Sequence, residues 1–394
     1  MGKKHGPGTK RRKKGVLWLV ILVVGLAAGL CAIASYNYIT GLNRSNAKEA
    51  AAEANLQNGI PIEIPVNSNT ASIANLLKEK GIVQYPYLFK ILSRIYGYDG
   101  MYQSGIHILD RDPDRNKPTH VVSSYNRIMR ILAGKPQSIR VTIVEGKTYG
   151  QIVDLLVQKK LVDREKFDKA AESMDLKDFA VLKDIPQREN RLEGYLFPDT
   201  YEFSLAAGEE EIVRKMLENF AVRLGPQYQD EINKLNDRFK KYGLNMNVDM
   251  VITLASIIER EAKNDAERAK IAGVFYNRLT GRYGAPRRLE SCATIQYIYL
   301  YKNTDTSDEN KKRIQKGIIT DKDTAINDPY NTYKFTGLPP GPICCPGKAS
   351  IEAALHPEET KAVYFVANKD QSGNHVFSET LRDHNRAVRQ NALH

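Results

Sequence analysis

Residues Gly15 to Ala34, GVLWLVILVVGLAAGLCAIA, run for twenty positions without a charge. At 1.5 Å per residue such a run forms a helix about 30 Å long, the thickness of a bilayer's hydrocarbon core. Trp18 near one end and Tyr36 and Tyr38 beyond the other stand where interfacial aromatics are expected. Lys3, Lys4, Lys10, Arg11, Arg12, Lys13 and Lys14 precede the run with no acid among them. That bias places the N-terminus in the cytoplasm and everything beyond residue 40 outside. A cleaved signal peptide is the alternative, because Ala32-x-Ala34 imitates a cleavage site, although the run is longer than a usual signal core. Cys31 follows Leu30, a residue too bulky to precede a lipid-modified cysteine.

The same tail explains the charge. The net charge of +12 falls to +5 once the first 14 of the 394 residues are set aside. No basic, aromatic-interleaved face remains, so no nucleic-acid partner is expected. With 42% apolar and 26% charged residues the rest reads as globular. Beyond the run lie Cys292, Cys344 and Cys345, an odd number that gives no disulfide framework. There is no C-x-x-C and no H-x-x-x-H, so neither a metal nor another cofactor is expected.

Residues 40–60 are rich in Ala, Asn and Glu without an apolar period and read as a spacer. An internal repeat follows. Residues 62–83 superpose without gaps on 141–162, pairing Ile62 with Val141, Ile73 with Ile152, Leu77 with Leu156 and Val83 with Val162. Each copy has alternating apolar residues, a polar turn and an i, i+3, i+4 stripe, which predicts a short strand feeding a short helix. Units of this size resemble the LysM type of cell-wall proteins. A glycan-binding module and a plain packing unit both stay open. Between the copies, Ser124 is expected to cap a helix ending at Gly134.

From about residue 190 the pattern turns helical. Ile212, Val213, Met216, Leu217 and Phe220 predict one helix closed by Gly225, and Ile232, Leu235 and Phe239 a second. Two more are read at 249–263 and 264–282, another from Ser350, and a last one carrying Leu381, His384 and Val388. Ala362–Asn368 and His375–Ser378 flank a turn and predict a hairpin. The expected fold is α+β, with an N-terminal transmembrane helix, LysM-like αβ subdomains and a helix-rich α+β catalytic domain ending in a hairpin. The expected boundaries are a tail at 1–14, a span at 15–38, a linker at 39–60, the repeat region at 61–185 and the catalytic domain at 186–394.

The helix VDMVITLASIIEREAKND is apolar nearly all round until Glu259, which continues the face of Ile252 and Ala255. Glu261 stands about 200° further around the axis, so the two carboxylates cannot share a site. A carboxyl against an apolar wall would stay protonated and could act as a general acid. Pairing with an Arg or Lys inside the domain is the plainer alternative. In LEGYLFPDTYEF (192–203), Tyr195, Phe197, Tyr201 and Phe203 suit either sugar faces or a buried strand. DPYNTYKFTGLPPG (328–341) sets Asn331 and Thr332 before a proline-stiffened loop, and RRLESCATIQYIY (287–299) carries Thr294 and Gln296.

Together LEGYLFPDTY, LASIIEREA, LESCATIQY, DPYNTY with GLPPG, and the stretch from His356-Pro357 through YFV to HVF resemble the YceG-like family of endolytic murein transglycosylases. The resemblance runs in order from about residue 60 to 390. It implies Glu259, not Glu261, as the catalytic acid, with Glu193, Tyr195, Thr294, Asn331 and Tyr333 lining a groove. Many members carry Ser-Asp-Pro-Thr where this chain has Ser291-Cys292-Ala293-Thr294, so no essential carboxylate is expected there, and the resemblance implies a single glutamate, Glu259, acting as acid and then base without a partner carboxylate. The resemblance further implies peptidoglycan glycan strands as substrate, 1,6-anhydro ends as product, a membrane-anchored outward-facing enzyme and peptidoglycan synthases as partners. A water-using hydrolase with Glu193 as base and a non-catalytic wall-binding scaffold remain as alternatives.

Overall fold

The computed structural model describes residues 60–109, 120–302, 307–370 and 372–391, together with Gly25, Leu26 and Gly29. The expected tail, span and linker otherwise lie outside the described residues. Among the described residues no helix is long and apolar enough to cross a membrane. The chain is mixed α+β and divides into two compact units, Met1–Ser138 with Ser204–Ala206, and Ile139–Phe203 with Ala207–His394.

In the first unit β1 (Ile60–Ile64) pairs antiparallel with β2 (Gly105–Leu109), setting Ile62 opposite His107. Helices α1 (Thr70–Glu79), α2 (Pro86–Ile95) and α3 (His120–Leu132) complete it. Ile62, Ile64, Ile73, Leu77, Phe89 and Met129 form its core. Ser124 lies inside α3 and not at its start, which corrects the expected cap.

The second unit begins with the second repeat copy. Strand β3 (Ser138–Thr142) pairs with β4 (Thr200–Ser204), and α4 (Tyr149–Gln158) and α5 (Arg164–Ser173) lie between them in sequence. The starts of α1 and α4 are related by the repeat's own shift of 79. The helix caps coincide too: Asn69 accepts from Ala71 and Ser72 N–H, and Thr148 forms a capping box with Gln151. Val141, Ile143, Ile152, Val153, Leu156 and Phe167 share one apolar core with Tyr195, Leu196, Ile252 and Ile257. The compact division therefore falls near Ser138, whereas the sequence suggested 185/186. Shared burial, not common descent of the two copies, decides the grouping.

The helices that follow are α6 (Glu209–Leu224), α7 (Tyr228–Phe239), α8 (Val248–Glu261), α9 (Arg268–Thr280) and α10 (Cys292–Tyr297), the last continued by a π turn over Ile298–Lys302. Then come α11 (Asp308–Gln315), α12 (Asp321–Thr324), α13 (Lys348–Leu355), the antiparallel hairpin β5 (Tyr364–Ala367) and β6 (His375–Ser378), and α14 (Leu381–Asn391). Helix α8 is buried on every side: Val251, Ile252, Leu254, Ile257 and Ile258 expose nothing. Each such side chain contributes about 1.5–3 kcal/mol by leaving water, so α8 is fixed as the axle of this unit. Glu259 follows directly, in its last turn.

Candidate active site

The Glu259 side chain is 9% exposed and is held by polar groups from two other elements. The Gly347 N–H donates to Oε2 at 3.0 Å and the Ser350 hydroxyl donates to the same oxygen at 2.8 Å. Gly347 is the cap residue of α13 and has no side chain to close the helix, so a carboxylate from α8 satisfies that end. Arg268, at the start of α9, reaches Oε1 at 3.4 Å and is itself fixed by Ser350 Oγ at 2.6 Å and Asp265 at 2.9 Å. The expected apolar wall is thus corrected. The apolar face ends one turn earlier, and the carboxylate meets donors. The alternative of a basic partner is realised at the same time, through a long contact that leaves Oε1 the looser of the two oxygens.

Two loops bring these groups together. Ile343 N–H donates to Ser256 Oγ at 3.0 Å and the Cys344 thiol to Ser256 O at 3.3 Å, tying the 343–347 loop to α8. Gly146 N–H donates to Cys345 O at 2.9 Å, and Cys345 N–H to Lys147 O at 2.8 Å, tying it to the turn between β3 and α4. That turn sets Glu145 against Gly347: a Cβ added to Gly347 would lie 2.6 Å from Glu145 Cγ. Nothing in the sequence singles out Gly347, Arg268 or Glu145. The helix expected from Ser350 starts at Lys348, so Ser350 stands in its first turn with its hydroxyl on Glu259.

The five residues expected along a groove differ in exposure. Glu193, Tyr195, Thr294 and Asn331 are 3%, 0%, 0% and 0% exposed, enclosed by protein, and Tyr333 alone is half-buried. Glu193 accepts from Tyr149 N–H at 2.8 Å, closing the start of α4, and burial pushes its carboxyl from 4.5 up to about 8. Tyr195 donates to Asp249 Oδ1 at 2.5 Å, where Arg188 also binds in bidentate fashion. Thr294 shares a hydrogen bond with Thr332 at 2.9 Å, and Asn331 donates to Thr324 O and Ile326 O. Tyr333 OH lies 3.1 Å from Cys292 Sγ. Phe197, Tyr201 and Phe203 are core as well, which favours the buried reading of that aromatic run. Glu261 accepts from the Ser291 hydroxyl and plays no part around Glu259.

Glu193, Gly194 and Tyr195 tie together the elements that surround Glu259. Gly194 has φ +89°, and a Cβ there would lie 2.5 Å from Pro342 Cβ. LEGY thus joins α4 through Glu193, the 342–345 loop through Gly194 and the first turn of α8 through Tyr195.

The sequence profile of the YceG-like family matches residues 62–390. The chain belongs to the YceG-like family. The match takes in both repeat copies and Glu259. Among YceG-like relatives, the endolytic murein transglycosylase of Bacillus subtilis (strain 168) is 31% identical over 338 residues, covering 83% of each chain. The endolytic murein transglycosylase of Streptococcus pneumoniae (serotype 2, strain D39) is 27% identical over 357 residues, 85% of this chain, which spans 59% of that protein's length. The 2.6 Å crystal structure of a putative yceG-like protein from Listeria monocytogenes shares 30% identity with a TM-score of 0.50, covering 83% of this chain and 98% of that one.

Proposed function

We propose that this chain is an endolytic murein transglycosylase, cutting the bond between N-acetylmuramic acid and N-acetylglucosamine and leaving 1,6-anhydro ends. The observation that carries the chemistry is the unequal hold on Glu259: Oε2 anchored by two short hydrogen bonds, Oε1 met only by a 3.4 Å contact. Oε1 is then the oxygen that works. It gives its proton to the glycosidic oxygen as the bond breaks towards an oxocarbenium-like state. It next takes the proton of the muramic acid 6-hydroxyl as that oxygen attacks the anomeric carbon. No water is consumed. Glu193 does not supply the base that the hydrolase alternative assigns to it, because it is sealed in protein and engaged with Tyr149.

The surrounding motifs act in this reading as braces, and Tyr333 as the member that reaches the surface. The charge-free run at 15–34 anchors the chain with its tail inside, and the catalytic unit meets strands as synthases release them. A pull-down that recovered no cell-wall synthase would count against that placement. The LysM-like unit holds the glycan, a role that binding of purified strands would test.

The deciding experiment is digestion of purified sacculi by the full chain in detergent, wild type against Glu259→Gln, read by mass spectrometry. Loss of a general acid–base group should slow release by about 10³-fold. Anhydro ends are one water lighter than hydrolysed ends, so product mass separates lyase from hydrolase. Unchanged release by Glu259→Gln would sink the assignment.

A further inference from the structure

The turn of the second repeat copy delivers a second carboxylate to Glu259. The point where a Cβ on Gly347 would sit is 3.5 Å from Glu145 Cδ and 3.4 Å from Glu259 Oε2, so the two carboxyl groups stand no more than about 7 Å apart. Pairs of carboxylates that flank a scissile glycosidic bond lie about 5 to 9.5 Å apart. Glu145 is exposed and has no hydrogen-bond or ion-pair partner among the described residues. Its backbone is nonetheless firmly placed. The next two residues carry the paired hydrogen bonds to Cys345, and Thr148 begins the capping box of α4. A carboxylate side chain on a firmly held turn, lying over a glycine beside the proton-transfer group, is placed where it can stabilise developing charge. No such need exists at the equivalent turn of the first copy, where Asn67 and Ser68 occupy the positions of Gly146 and Lys147, and Val66 that of Glu145.

We infer that Glu145 is the second carboxylate of the site, stabilising positive charge at the anomeric carbon while Glu259 moves the proton. This rests on the transglycosylase reading and deepens it. As the bond from the anomeric carbon to the glycosidic oxygen breaks, Glu259 protonates that oxygen and the ring carbon becomes positive. The 6-hydroxyl oxygen then bonds to the carbon, and its proton goes to Glu259. Glu145 neither gains nor loses a proton, and the ledger of atoms closes without water. Gly347 is part of the same device, since only a residue without a Cβ lets Glu145 lie there.

The test compares full-length wild type, Glu145→Gln, Glu145→Asp and Glu259→Gln for initial rates of anhydro-muropeptide release across sacculus concentrations, with melting curves alongside. Glu145→Gln should lower kcat by about 10²-fold with KM nearly unchanged, the signature of a group acting on the transition state. Glu145→Asp should recover part of that loss, and an exposed side chain predicts unchanged melting. A kcat within about twofold of wild type, a loss confined to KM, or a loss that Asp does not relieve would overturn the proposal. If Glu259→Gln stays active, or if ends carry an added water, the reading of the reaction fails, and it fails independently of what Glu145 variants do.

Discussion

Ser350 shows how little a single residue needs to offer here. Its hydroxyl donates to Glu259 Oε2 at 2.8 Å and accepts from Arg268 at 2.6 Å, so it couples the acid to the cation beside it. Removing a hydrogen bond to a charged group costs about 1.5–3 kcal/mol. Ser350→Ala should therefore lower kcat by about 10- to 100-fold while the sacculus-binding KM changes little. Equal kcat in the two proteins would mean that Gly347 alone positions the carboxylate. Glu193 makes the opposite case, a carboxyl that matters for stability. Its folded value of about 8 lies above the ordinary 4.5. Between those values the folded state holds more protons than the unfolded one, so stability falls as pH rises through that window. Its contribution is complete below about pH 4.5 and lost above 8. Glu193→Gln keeps the acceptor for Tyr149 N–H and removes the titration. The melting temperature of the variant should gain on wild type between about pH 4.5 and 8 and run parallel to it above that, and curves parallel throughout would contradict the assignment.

At the scale of elements, the joints between motifs are less forgiving than the motifs. Gly194 has a positive φ, and its Cα faces Pro342 so closely that a methyl would stand 2.5 Å away. Gly194→Ala should destabilise the protein by about 3 kcal/mol, combining left-handed strain with overpacking. Denaturant unfolding measures that directly, and a change below 1 kcal/mol would show that the loop yields. Elements were readable wherever one local period carried the information. The two repeat helices begin 79 residues apart as the pairing of Ile73 with Ile152 requires, and Tyr364–Ala367 meets His375–Ser378 as the hairpin pattern requires. Of the groups gathered around Glu259, the sequence singles out the glutamate and, as a helix start, Ser350. Gly347 and Ser350 lie 88 and 91 residues from that glutamate, and Glu145 comes from the polar turn of the second repeat copy, whose pattern does not say what it packs against. Tyr195 and Asn331 are buried, which their place in a motif did not foretell, because a motif does not state the exposure of its residues. The helix period carried the apolar face of Ile252 and Ala255 on to Glu259, where polar donors in fact take over.

Across the whole molecule, the shared core makes a claim about where the catalytic unit can be cut. A fragment beginning at residue 186 would keep Glu259, Arg268, Gly347 and Ser350. It would lose Val141, Ile143, Ile152, Val153, Leu156 and Phe167 from the core that holds α8. At about 1.5–3 kcal/mol for each buried side chain, that loss reaches or exceeds about 10 kcal/mol, comparable with the whole stability of a typical domain. The fragment would also leave the Glu193 carboxyl without its Tyr149 partner and the Cys345 backbone without Gly146 and Lys147. A fragment beginning at residue 139 keeps all of these. Expressed side by side, residues 139–394 should melt cooperatively and release anhydro ends from sacculi, while residues 186–394 should be unfolded by circular dichroism and inactive. A folded, active 186–394 fragment would show that the strand–helix repeat is an appendage, and would remove Glu145 from the chemistry with it.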